Sequence, residues 1–113
     1  MKKITVDDIL RICKGKLVCG SKEIECKHFE RDTRNVKTGD VYIGIKGENF
    51  DGNTLYEKAF EQGASVAIVS GINPNVYKDK TIIIVEDTIK ALQQIAEYKR
   101  NLYDIPVIAV TGS

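Results

Sequence analysis

Thr81-Ile82-Ile83-Ile84-Val85 carries three consecutive isoleucines and no alternation of polar with apolar residues. A strand with that pattern is covered on both faces, the situation of a strand inside a parallel or mixed sheet with helices packed against it. Two more short runs read the same way. One is Ser65-Val66-Ala67-Ile68-Val69; the other is Val41-Tyr42-Ile43-Gly44-Ile45, which ends in Lys46-Gly47. Between them, apolar residues recur at helical spacing. Leu55, Tyr56, Ala59 and Phe60 share one face of a helix capped near Asp51 or Asn53 and stopped at Gly63. Ile89, Leu92, Ile95, Ala96 and Leu102 mark a longer helix capped by Asp87 or Thr88. Pro106 closes its connection to a last predicted strand, Val107-Ile108-Ala109-Val110. Strands alternating with helices predict the α/β class: a small mixed or parallel sheet flanked by helices.

The amino-terminal third fits the same scheme. Thr5 caps a helix from Val6 to Lys14, with Asp7 and Asp8 in its first turn, Ile9, Leu10 and Cys13 as its stripe, and Gly15 as its end. Lys16–Cys19 and Glu25–Phe29 read as two short strands around the turn Gly20-Ser21-Lys22. A polar stretch from Glu30 to Asn35 follows, then the turn Lys37-Thr38-Gly39-Asp40. Ser70–Lys80, with Gly71 and Pro74, reads as an irregular loop.

Composition narrows the function. The 113 residues include 17 basic and 16 acidic side chains, for a net charge of +1, and 42% are hydrophobic. A chain of that length buries roughly two-thirds of its extended surface on folding, enough for one domain with a real core. Without a basic block, neither nucleic acid nor a membrane surface is the expected partner. No apolar run approaches the roughly 20 residues of a membrane span. Met1-Lys2-Lys3 leads into a charged helix rather than a signal peptide, so a cytoplasmic protein is expected. Basic groups lean to the first half: residues 1–50 carry 11 basic and 8 acidic side chains, the remainder 6 and 8. That asymmetry suits an anionic ligand. Cys13, Cys19 and Cys26 lack metal-ligand spacing and stand beside a single histidine, His28. They read as reduced, partly buried thiols, with no metal site and no histidine-based catalysis.

Several separated motifs carry a resemblance. Asp32-Thr33-Arg34, Thr38-Gly39-Asp40-Val41-Tyr42-Ile43-Gly44-Ile45-Lys46-Gly47, Asn49-Phe50-Asp51-Gly52-Asn53 and Gly63-Ala64 together resemble the amino-terminal domain of the Mur ligases. Val85-Glu86-Asp87-Thr88, a helix, and Val110-Thr111-Gly112-Ser113 are similar to the family's passage into its central ATP-binding domain. The resemblance implies residues 1–106 as a UDP-substrate-binding domain, and 107–113 as the first strand and truncated start of the central domain. Its Gly-Lys-Thr is expected just beyond Ser113. Gly47-Glu48-Asn49-Phe50-Asp51-Gly52 and the terminal Thr-Gly-Ser lean toward the branch that adds D-alanyl-D-alanine to UDP-N-acetylmuramoyl-tripeptide. The branch that adds the third peptide residue is the alternative, and a stand-alone nucleotide- or protein-binding module is the competing class. In the family, ATP and magnesium convert the peptide carboxylate to an acyl phosphate, which the incoming amine displaces. The lysine and magnesium ligands for that step are absent from this chain, so the resemblance implies no catalytic residue and no cofactor here.

Two segments are candidate ligand sites. Asp32-Thr33-Arg34 has a structural reading, a side-chain-stabilised turn with a surface ion pair. The family reading gives the Thr33 hydroxyl to UDP, and leaves Arg34 open between phosphate and Asp32. Gly47–Gly52 makes a strand-to-helix turn whose amides suit an anion. The UDP candidates are therefore Thr33, Arg34, Lys46, Gly47, Glu48, Asn49 and Phe50, and Thr111, Gly112 and Ser113 are the partial phosphate loop for ATP. Asn53 stands where the family commonly has histidine, and Gly44 where it has alanine.

Overall fold

The computed structural model describes residues 3–49 and 51–111, with side chains described as far as residue 102. Thr5 starts the first helix, α1 (Val6–Cys13), through a reciprocal capping box: its side chain accepts from the Asp8 amide, and the Asp8 carboxylate accepts from the Thr5 amide at 2.9 Å. Lys14, not Gly15, turns the chain out of α1, in a left-handed conformation with φ 53°. Gly15 serves a different purpose. A Cβ there would lie 2.8 Å from the Ile83 side chain, so glycine permits the helix end to sit against the sheet.

The sheet has five strands: β1 (Lys16–Cys19), β2 (Phe29–Glu30), β3 (Val41–Ile43), β4 (Val66–Val69) and β5 (Thr81–Ile84), in the order β1-β5-β4-β3-β2. β2 to β5 run parallel and β1 is antiparallel to β5, so the sheet is mixed. Val41, Ile43, Val66, Ile68 and Ile83 pack beneath α1 and α3 (Thr88–Thr111). Tyr42, Ala67, Val69 and Ile82 pack on the other face beneath α2 (Tyr56–Gln62). The isoleucine run is apolar throughout because both faces are covered, as its pattern predicts. Truncating a fully buried member such as Ile68 to alanine costs about 2–5 kcal/mol.

Three further expectations differ from the structure. Lys16–Cys19 does not form a hairpin with Glu25–Phe29. β1 lies at one edge beside β5, and only Phe29–Glu30 is strand, at the opposite edge. The intervening backbone is satisfied by the entry to α1 instead: Val6 donates to Ile24, Asp7 to Lys22, and Cys26 to Ile4 at 2.7 Å. In α3, Ala91, Leu92, Ile95, Tyr98 and Leu102 form the inward stripe, while Ile89 is 49% exposed and Ala96 is exposed as well. Val107–Val110 is helical, not a strand, because α3 continues through Pro106 to Thr111. A strand needs a neighbour for its backbone groups, and none of the sheet's five strands pairs with this run.

Candidate functional site

In a parallel sheet, ligands bind where the loops leave the carboxyl ends of the strands. The loops after β2, β3, β4 and β5 share one edge here, and they enclose two clefts divided by the Lys46-Gly47 segment.

The first cleft, of about 530 Å³, is lined by Arg31, Asp32, Thr33 and Arg34 after β2, by Ile45 and Gly47 after β3, and by Leu55 and Lys58 on the helical side. Its floor is a 3-10 turn, Thr33–Asn35, which forms because Asp32 caps it: the carboxylate accepts from the Arg34 amide at 2.9 Å. The Arg34 guanidinium folds back on the same carboxylate, Nε to Oδ1 at 3.1 Å and Nη2 to Oδ2 at 2.8 Å. These hydrogen bonds pull the Asp32 carboxyl down to about 2 and raise the arginine further. Of the two roles open to Arg34, the observed one is pairing with Asp32. Thr33 is only 7% exposed, yet it lines the cleft, and no described residue hydrogen-bonds its hydroxyl.

The second cleft, of about 630 Å³, lies between the loops after β3, β4 and β5. Its charged lining is Lys46 against Glu48, Asp51, Glu86 and Asp87, with Ile89 at its edge. Asn53 forms part of this wall and is committed structurally. It donates to Asp51 Oδ1 at 2.8 Å and accepts from the Ser70 amide at 3.0 Å, tying the β3 loop to the end of β4.

The loop between the clefts is pinned at its base. Lys46 and Asp51 form an isolated antiparallel bridge, and Gly52 donates to Ile45 at 3.0 Å. The buried Tyr42 hydroxyl donates to the Gly52 carbonyl at 2.7 Å, and burial pushes that phenol up to about 12. A Cβ on Gly52 would meet the Ile45 carbonyl at 2.6 Å, and one on Gly44 would meet Asn53 Cα at 2.7 Å, so both glycines serve close backbone approach. Asp51 accepts from the Asn53 amide at 3.0 Å. The amides of Gly52 and Asn53 are thereby used internally, which confines any amide contact to ligand to the loop's outer residues.

The sequence candidates therefore divide. Thr33, Arg34 and Gly47 share the first cleft; Lys46, Gly47 and Glu48 line the second; Asn49 is exposed and lines neither. Phe50, Gly112 and Ser113 lie outside the described residues, and Thr111 ends α3. Sequence reasoning passed over Arg31 and Lys58. Arg31 directly precedes the Asp-Thr-Arg motif, and Lys58 lies one turn beyond Leu55, which were the available signals. His28 is surface-exposed, with Nδ1 3.1 Å from Asp40 Oδ2 and no place in either cleft. Among the described residues no group of three histidine, cysteine or acidic side chains is arranged to hold a metal, and no helix is long and apolar enough to cross a membrane.

Comparison with known proteins adds a family. Residues 27–100 match the family model described as Mur ligase family, catalytic domain. The chain is 37% identical over its whole length to the UDP-N-acetylmuramoyl-tripeptide--D-alanyl-D-alanine ligase of Bacillus subtilis, of which it covers 25%. It is 36% identical, over 94% of its length, to the UDP-N-acetylmuramoyl-L-alanyl-D-glutamate--2,6-diaminopimelate ligase of Clostridium tetani, of which it covers 23%. Ninety per cent of the chain superimposes on 22% of a crystal structure of MurF from Acinetobacter baumannii, with a TM-score of 0.72 at 24% identity, which shows a shared fold. The chain thus spans about a quarter of the length of the relatives it matches.

Proposed function

The chain belongs to the Mur ligase family, and on that premise we propose that it anchors the uridine diphosphate end of a UDP-N-acetylmuramoyl peptide for a cytoplasmic, ATP-dependent ligase of peptidoglycan synthesis. The observation that carries this reading is the first cleft. It pairs a buried threonine, whose hydroxyl has no partner among the described residues, with a cationic rim. The two clefts differ in sign: three cations against one carboxylate in the first, one cation against four carboxylates in the second. At separations of about 5–8 Å in a water-like dielectric, each unit charge contributes about 0.5–0.8 kcal/mol, enough in sum to direct an anion to the first cleft.

Residues 1–106 form the anchoring domain in this proposal, and 107–113 begin the ATP-binding domain, its first five residues observed as helix. In the whole ligase, ATP with magnesium would supply the activation of the peptide carboxylate for attack by an amine. This chain's residues act at a distance from that chemistry, by holding the nucleotide so that binding energy positions the carboxylate. The incoming amine is D-alanyl-D-alanine, supported by the Gly47–Gly52 loop, by the terminal Thr-Gly-Ser and by the Bacillus relative. The Clostridium relative, nearly as similar, favours a second reading in which a diamino acid is added to the dipeptide substrate. Phosphate release by the full-length gene product separates them. Turnover with UDP-N-acetylmuramoyl-tripeptide and D-alanyl-D-alanine supports the first, and turnover only with the dipeptide substrate and diaminopimelate supports the second. No turnover with either, from a reading frame that stops near Ser113, indicates a stand-alone binding module.

A further inference from the structure

We infer that Arg31 and Lys58, rather than Arg34, are the cations that grip the diphosphate of a nucleoside diphosphate in the first cleft; this rests on the nucleotide reading proposed above. Arg34 is the arginine that the Asp-Thr-Arg motif draws attention to, but its Nε and Nη2 are both spent on Asp32. The same carboxylate caps the turn that carries Thr33, so withdrawing the guanidinium to reach a phosphate takes a bidentate partner from the cap of that turn.

Arg31 and Lys58 differ on each count. Both line the cleft, both are exposed, and neither takes part in an ion pair among the described residues. They come from different elements. Arg31 follows β2, its main chain held by the Glu30 carboxylate, which accepts from its amide at 3.1 Å. Lys58 projects from α2, one turn beyond the cleft-lining Leu55. The buried Thr33 lies on the floor, and Gly47 contributes no side chain at the divide. A fork-shaped donor and a flexible point charge lining one cleft suit a group carrying two or three negative charges. The Thr33 hydroxyl is left for a neutral part of the same ligand.

The test is a calorimetric titration of the 113-residue chain with UDP, with uridine and with inorganic pyrophosphate, at two salt concentrations, for wild type, Arg31→Gln, Lys58→Gln and Arg34→Gln. Exposed side chains such as these tolerate the change, and circular dichroism confirms that each variant folds. Loss of one charge-assisted contact predicts about tenfold weaker UDP and pyrophosphate binding for Arg31→Gln and for Lys58→Gln, with a flatter salt dependence and unchanged uridine binding. Arg34→Gln is expected to cost less than threefold. If UDP binds but only Arg34→Gln weakens it, the assignment of the two cations is overturned and the nucleotide reading survives. Pyrophosphate binding that depends on Arg31 and Lys58, without any gain from the uridine moiety, keeps the clamp and overturns the nucleotide reading. Absence of binding by all three ligands overturns both.

Discussion

Replacing Thr33 with valine separates a ligand-directed hydroxyl from a structural one. The residue is 7% exposed, lines the first cleft and has no described hydrogen-bond partner for its hydroxyl. Valine keeps the β-branched shape and exchanges the hydroxyl for a methyl. Since no internal hydrogen bond is broken, folding stability should hold or rise by up to about 1 kcal/mol, the value of burying one more apolar group. Ligand binding should respond in the opposite direction. A neutral hydrogen bond to the nucleotide is worth about 0.5–1.5 kcal/mol, so the UDP dissociation constant should rise about two- to thirteenfold. Urea denaturation supplies the first quantity and a titration followed by backbone amide shifts the second. A stability loss above about 1 kcal/mol with unchanged UDP affinity would refute the reasoning, by showing that the hydroxyl supports the turn and not the ligand.

Other consequences are open to direct measurement. Tyr42→Phe leaves the buried Gly52 carbonyl without its 2.7 Å donor and should destabilise the domain by about 1–3 kcal/mol in urea; an unchanged midpoint would show that this bond does not hold the loop. Asp32 is depressed to about 2 in the folded chain, so its pairing contributes stability above about pH 4, which is lost as the pH falls toward 2. Asp32→Asn should therefore flatten the dependence of melting temperature on pH between 4 and 2, whereas a slope equal to wild type counts against the pairing. Burial pushes the Cys13 thiol up to about 11 and Cys26 up to about 12, while Cys19 is half-buried. At pH 8 a thiol-specific disulfide reagent should modify one group rapidly in the native chain and three after denaturation; equal rapid reaction of all three would contradict the packing.

Local signals were the most legible. Thr5 caps α1 with Asp7 and Asp8 in its first turn, as read from the sequence, and Asp8 completes a capping box that the structure reveals. The isoleucine run and its two partners became adjacent parallel strands, because each is apolar on both faces and must be covered on both. Pairings that depend on distant backbone were not legible. Nothing in Lys16–Cys19 specifies β5 as its neighbour rather than the next segment, and the choice is made by the backbone of residues 22–26 bonding to the start of α1. At the site, Thr33 could be singled out from its motif, but the pairing of Arg34 with Asp32 required geometry. Lys46 and Glu48 adjoin Gly47 in sequence and nonetheless line the other cleft, because they sit on the segment that divides the two.

The place where a uridine nucleotide binds is the most direct test of the assignment to the first cleft. Backbone amide shifts of the isotopically labelled chain, followed during titration with UDP-N-acetylmuramoyl-tripeptide, report that location residue by residue. The predicted result is a contiguous set of shifts at Arg31, Thr33, Gly47 and Lys58, with Ser70, Glu86 and Asp87 little changed. Shifts concentrated at Ser70, Glu86 and Asp87, with Thr33 and Lys58 unmoved, would contradict it.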